Sequence, residues 1–90
     1  MYRIILIDDE PLILAGIASL ICWEEHDCCI VGKATNGNDA IDLIMDTRPD
    51  IVITDIRMPV MNGLELIEAC QKRDGEFAFI FLTTLAEFQL

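Results

Sequence analysis

Positive charge is what this chain has least of. Its 90 residues carry six lysines and arginines against sixteen aspartates and glutamates, a formal charge of −10 with a pI near 4.1. A field of that sign repels phosphate backbones and anionic bilayers, so direct nucleic-acid binding is disfavoured. Long uncharged runs are missing too. The longest, Pro11 to Trp23, is too short to cross ~30 Å of hydrocarbon, and no membrane span is expected. The N-terminus offers only Arg3 before the acidic Asp8-Asp9-Glu10 and has no small-residue cleavage site, so it reads as carrying no secretion signal. Four cysteines without such a signal, Cys22, Cys28, Cys29 and Cys70, fit a reducing cytoplasm. No Gly/Ser-rich linker, internal repeat or low-complexity tract appears, which leaves no place for a second domain to begin. Apolar residues are plentiful, at 53%. That is enough to give one small domain, residues 1–90, a real core.

The apolar residues fall into alternating patterns. "YRIILI" (Tyr2–Ile7), "CCIVGKA", "DIVIT" and "FAFIFLTT" are rich in β-branched and aromatic residues and apolar on both faces, as strands covered on both sides of a parallel sheet are. Between them lie helical segments. An acidic cap at Asp8 and Asp9 followed by Pro11 predicts the start of a first helix. Within it, Gly16 suggests close packing on the sheet. Asn36 is placed to cap a second helix with Ala40, Ile41, Leu43 and Ile44 on one stripe. "NGLELIEACQKR" predicts a third, with Leu64, Ile67 and Ala69 toward the core. Strand–helix alternation with short connections predicts an α/β fold, a doubly wound parallel sheet with helices on both faces. Trp23 is expected to pack at the end of the first helix.

Three of the four predicted strands end on a reactive oxygen: Asp8 and Asp9 after the first, Asp55 after the third, Thr83 after the fourth. In a parallel sheet those ends share one edge, where open α/β folds bind ligands. If the first and third strands are neighbours, three carboxylates meet, and like charges at that range raise one another's pKa or recruit a cation. Oxygen ligands alone, few in number and open to water, favour Mg²⁺. Magnesium beside a carboxylate suggests phosphate chemistry, with an aspartate as nucleophile giving an acyl phosphate. Asp55 is the candidate, because a rigid strand stands behind it.

The stretches "ILIDDEP", "ATNGNDAIDLI", "RPDIVITDIRMPVMNGLELI" and "FIFLTTLAEF" together closely resemble the receiver domain of two-component response regulators, over essentially the whole chain. The resemblance implies the flavodoxin-like receiver fold. It implies that Asp55 takes a phosphoryl group from a phosphohistidine on a sensor histidine kinase. It further implies that Asp8, Asp9, Asp55 and the backbone carbonyl of Arg57 hold Mg²⁺, and that the Thr83 hydroxyl bonds the phosphoryl oxygen. Arg57 and Leu85 would flank the site. The "LTTLAEF" ending resembles receivers that precede AraC-type DNA-binding domains, which would make the output transcriptional.

One part of the family pattern has no counterpart. Receivers continue through a fifth strand ending in a lysine that pairs with the phosphoryl group, whereas Lys33 and Lys72 occupy other places. A receiver fold without its last strand and helix is therefore expected. Its fourth strand, "FAFIFL", would then be an uncovered edge, and self-association through it is expected. Two other readings compete. A Mg²⁺-dependent aspartyl phosphatase would want a second acid two residues after the nucleophile, where Arg57 stands; a non-signalling interaction fragment would bind partners without turnover. A zinc site at Cys22, His26, Cys28 and Cys29 is disfavoured by spacing, and mostly buried free thiols are expected instead.

Overall fold

The computed structural model describes residues 1–56, 61–72 and 76–82. In chain order these form β1 (Tyr2–Ile7), α1 (Pro11–Leu20), a short 3₁₀ turn (Trp23–His26), β2 (Cys28–Ala34), α2 (Gly37–Thr47), β3 (Ile51–Asp55), α3 (Gly63–Gln71) and β4 (Ala78–Leu82). The four strands make one sheet in the order β2-β1-β3-β4, and every pairing is parallel. The predicted doubly wound α/β class is the one observed.

Because side chains alternate across a strand, β1 feeds two cores at once. Ile5 and Ile7 join Ala40, Ile41 and Ile44 of α2, Val52 of β3 and Leu66 and Cys70 of α3. Ile4 and Leu6 join Leu14 of α1 and Ile53 on the opposite face, with Trp23 and Ile17 packed against them. Two helices therefore cover one face and α1 the other, and Trp23 packs where expected, from within the 3₁₀ turn.

The ends of the helices show how local chemistry set them. Asn36 caps α2 through its side chain, which accepts from the Asp39 N–H at 2.8 Å. Asn62 and Glu65 form a reciprocal capping box at the start of α3, satisfying two donors that the helix itself cannot. The last turn of α2 is held by Arg3, whose guanidinium donates to the Thr47 carbonyl at 2.5 Å and the Arg48 carbonyl at 3.2 Å. The Arg3 N–H donates to the Asp50 carboxylate at 2.8 Å, which ties β1, the end of α2 and the approach to β3 together.

Three expectations need correction. Leu64 points to solvent, 58% exposed, while Leu66 and Cys70 are fully buried. Positions 66 and 70 lie one helical turn apart, and position 64 falls nearly opposite 66 on a 3.6-residue period. Ala69 does pack against the core, as expected, and Ile67 is partly buried. Gly16 permits no close approach, since a Cβ built there meets nothing within 4 Å. The cap residue of α1 is Glu10, and its side chain makes no capping bond; the Asp8 carboxylate instead accepts from the Glu10 N–H at 2.9 Å, a turn within the approach to the helix.

Candidate functional site

The strand order makes β1 and β3 neighbours, and their register pairs Ile4 with Ile51 through Ile7 with Thr54. The next residue along each strand is then Asp8 on one side and Asp55 on the other, at the same edge of the sheet. The Asp8 N–H also donates to the Ala34 carbonyl of β2 at 3.1 Å, so its backbone is held by the strand on its other side. Carboxylate oxygens of Asp8, Asp9 and Asp55 all lie within 4.8 Å of one another. Among the described residues, this is the group of three acids, histidines or cysteines that converges tightly enough to hold a metal ion.

The three differ in exposure. Asp8 is buried, 4% exposed, whereas Asp9 and Asp55 are half-buried. Burial pushes the Asp8 carboxyl above the ordinary aspartate value of 3.8; the hydrogen bond from Glu10 opposes the shift, and the charges of Asp55 and Asp9 add to it. The arrangement is thus electrostatically uncomfortable without a cation, as like charges crowded at low dielectric are. The donor set is all oxygen and two of its members face solvent, so water can complete a shell around a small hard dication. In an octahedral Mg²⁺ shell opposite ligands sit about 4.2 Å apart. The observed spread of oxygens is close to that span, and the residues fit the ion.

Asp55 is the last residue of β3 and pairs with Leu82, the last residue of β4. Thr83, Arg57 and Leu85 lie outside the described residues. Thr54 was not singled out by sequence, where it reads as one more β-branched strand residue. It is fully buried, and its hydroxyl donates to the Asp55 carbonyl at 3.1 Å. Gly63, at the turn and helix start that the sequence marks, donates its N–H to the Ile56 carbonyl at 2.9 Å.

Cys22, His26, Cys28 and Cys29 are not among the described residues that converge tightly enough to hold a metal ion. None of the four cysteines is in a disulfide; Cys70 is buried, Cys28 and Cys29 are half-buried and Cys22 is exposed. The Cys28 thiol donates to the His26 carbonyl at 3.3 Å. Burial is less complete than expected, because Cys22 sits past the end of α1 on the surface.

A parallel α/β sheet with three aspartates gathered at the carboxyl edge of two adjacent strands defines the class of doubly wound folds with an acidic pocket at the edge where such sheets bind ligands. Within that class, residues 4–89 match the response regulator receiver domain family, and the chain belongs to it, as a receiver domain of two-component systems. A transcriptional regulatory protein of Bacillus subtilis (strain 168) named YesN, itself uncharacterised, is 45% identical over 89 residues, 99% of this chain and 24% of its own length. The receiver domain of AraT, a response regulator from Geobacillus stearothermophilus, superposes with a TM-score of 0.86 at 31% identity, covering 97% of this chain and 67% of that one. A two-component transcriptional regulator AraC from Clostridium phytofermentans ISDg gives a TM-score of 0.83 at 30% identity, over 98% of this chain and 70% of that one. The chain thus spans about a quarter of the length of YesN. Among the described residues no helix is long and apolar enough to cross a membrane.

Proposed function

We propose that the chain is a phosphoacceptor module, a single receiver domain over residues 1–90, that takes a phosphoryl group onto Asp55 from the phosphohistidine of a sensor histidine kinase. The observation that carries this reading is the convergence of three carboxylate groups within 4.8 Å at the ends of β1 and β3. In the transfer, a carboxylate oxygen of Asp55 attacks phosphorus. The P–N bond of the phosphohistidine breaks, the imidazole leaves with a proton from solvent, and an acyl phosphate remains on Asp55. Asp8, Asp9 and Asp55 would hold Mg²⁺, joined by the Arg57 backbone carbonyl. When bound, Mg²⁺ supplies neutralisation of the charge on the transferring group.

The protein's own contribution is positional. The strand behind Asp55 aims its carboxylate, Asp8 and Asp9 keep the pocket acidic, and the hydroxyl of Thr83 would bond a phosphoryl oxygen once it is in place. The chain is a signalling module and not an enzyme acting on a separate substrate, and its place is the cytoplasm. Attachment to a DNA-binding output, as in the regulators it resembles, would make the signal transcriptional. We also propose that a second copy pairs along β4, which bonds only β3 among the described residues and whose Ile80 is 46% exposed. A strictly monomeric mass by light scattering at micromolar concentration would remove that part of the proposal.

The central test is incubation with Mg²⁺ and a small acyl-phosphate donor, followed by intact mass measurement. A single phosphate adduct that disappears in Asp55→Asn and in chelator supports the reading. Steady phosphate release from generic monoesters would point to a phosphatase, and absence of any adduct to a module that only binds partners.

A further inference from the structure

We infer that Gly63 is a positioning residue for Asp55, chosen for its missing side chain; the inference rests on the phosphoacceptor reading of Asp55 and deepens it. A Cβ added at Gly63 would lie 2.8 Å from the Asp55 carbonyl oxygen and 2.8 Å from the Phe81 ring. Real Cβ atoms essentially never approach that closely, and a backbone oxygen, unlike the tip of a flexible side chain, cannot swing away. No glycine of the described residues has a positive φ, so space rather than backbone freedom is what glycine supplies here.

The contact sits at the point that orients the carboxylate. The chain leaves the sheet at Asp55 and Ile56 and returns at Gly63, the first residue of α3, whose N–H donates to the Ile56 carbonyl at 2.9 Å. The Asp55 carbonyl thus accepts from the Thr54 hydroxyl at 3.1 Å and faces the space that a side chain at Gly63 would fill. Behind that α-carbon, α3 is anchored by its capping box and by the fully buried Leu66 and Cys70. The helix therefore resists displacement, and an added methyl transmits its push to the Asp55 peptide. A Mg²⁺ shell tolerates little distortion of its ligands, so a small rotation of that peptide degrades the whole carboxylate cluster.

The experiment compares Gly63→Ala with Gly32→Ala, whose Cβ would meet an equally close atom, 2.8 Å away, but on the Leu43 side chain and away from the acids. Mg²⁺ affinity is read by titration calorimetry, stability by thermal unfolding in chelator, and the Asp55 and Ile56 amide shifts by NMR without metal. Gly63→Ala is expected to weaken Mg²⁺ binding roughly tenfold, as loss of a supporting contact around a metal site does, and to move the two amide signals. Gly32→Ala is expected to change stability alone. Stability loss in Gly63→Ala with unchanged affinity and unmoved amides overturns the inference, leaving a purely structural glycine. Restoration of affinity in the double variant Gly63→Ala/Phe81→Leu also overturns it, since the ring and not the Asp55 carbonyl would then be what the glycine spares. If the unmutated chain binds no Mg²⁺, the metal reading itself fails, and the metal-free amide shifts still decide the role of Gly63.

Discussion

Removing one negative charge from the pocket should stabilise the metal-free protein, and Asp8→Asn is the sharpest way to see it. Two unit charges 4.8 Å apart, the outer limit within the cluster, repel by about 3.5 kcal/mol at an effective dielectric of 20 and by about 0.9 kcal/mol in bulk water. Asp8 is 4% exposed, which places its interactions toward the first figure; Asp9 and Asp55 are partly exposed to solvent, which damps them. Asparagine keeps the oxygen that accepts from the Glu10 N–H but gives up the charge assistance, worth about 1 kcal/mol. The net expectation is a gain of about 1–3 kcal/mol at neutral pH and low salt. For a domain of this size that raises Tm by at least about 4 °C. Thermal unfolding followed by circular dichroism in chelator measures it. High salt should shrink the difference, and millimolar Mg²⁺ should reverse it, because ligand binding stabilises only the chain that retains its full carboxylate set. The pH dependence has a definite sign. The Asp8 carboxyl is raised above 3.8 in the folded state, so the folded chain holds that proton more tightly than the unfolded one. Its contribution is complete below 3.8 and is lost as pH climbs through the elevated value. Asp8→Asn should flatten this decline. A lower Tm for Asp8→Asn in chelator at neutral pH would refute the account of the pocket as strained by its own charge.

Further outcomes follow from the same structure. Gly16→Ala, in the interior of α1 with nothing near its α-carbon, should gain roughly 1 kcal/mol through helix propensity, read as a higher urea midpoint at unchanged slope. Arg3→Ala removes the donors on the last carbonyls of α2 and should cost about 1 kcal/mol, with amide hydrogen exchange accelerated in the final turn of that helix. Leu66→Ala empties a fully buried site between α3 and the sheet and should cost about 2–5 kcal/mol, enough to leave a measurable unfolded fraction by urea titration at 25 °C. Leu64→Ala, at an exposed position on the same helix, should change the midpoint little.

Much of this architecture is legible in the chain because the relevant information is local. Apolar strands covered on both faces read as continuous β-branched runs, and β1 and β3 bear that out. Asn36 and Asn62 announce helix starts by a capping chemistry that involves only neighbours in sequence. The candidate site was readable as well, since acids that end buried strands of a parallel sheet must emerge at one edge. Helix faces were harder. Leu64, Leu66 and Cys70 differ little in apolarity, and which of them turns inward depends on the rotation of α3 against the sheet.

The chain by itself determined the kinds of element, their order, and the placing of Asp8, Asp9 and Asp55 at strand termini, because hydrogen-bonding and side-chain periodicity act over a few residues. Tertiary structure alone decided that β1 lies beside β3, that the register levels Asp8 with Asp55, and that burial falls on one of the three acids more than on the others. It also separated Gly16, which has open space around it, from Gly63, where an added Cβ would collide with the Asp55 carbonyl. Identical residues acquire opposite roles there because distances between segments remote in sequence are set by packing, and packing is a property of the assembled whole.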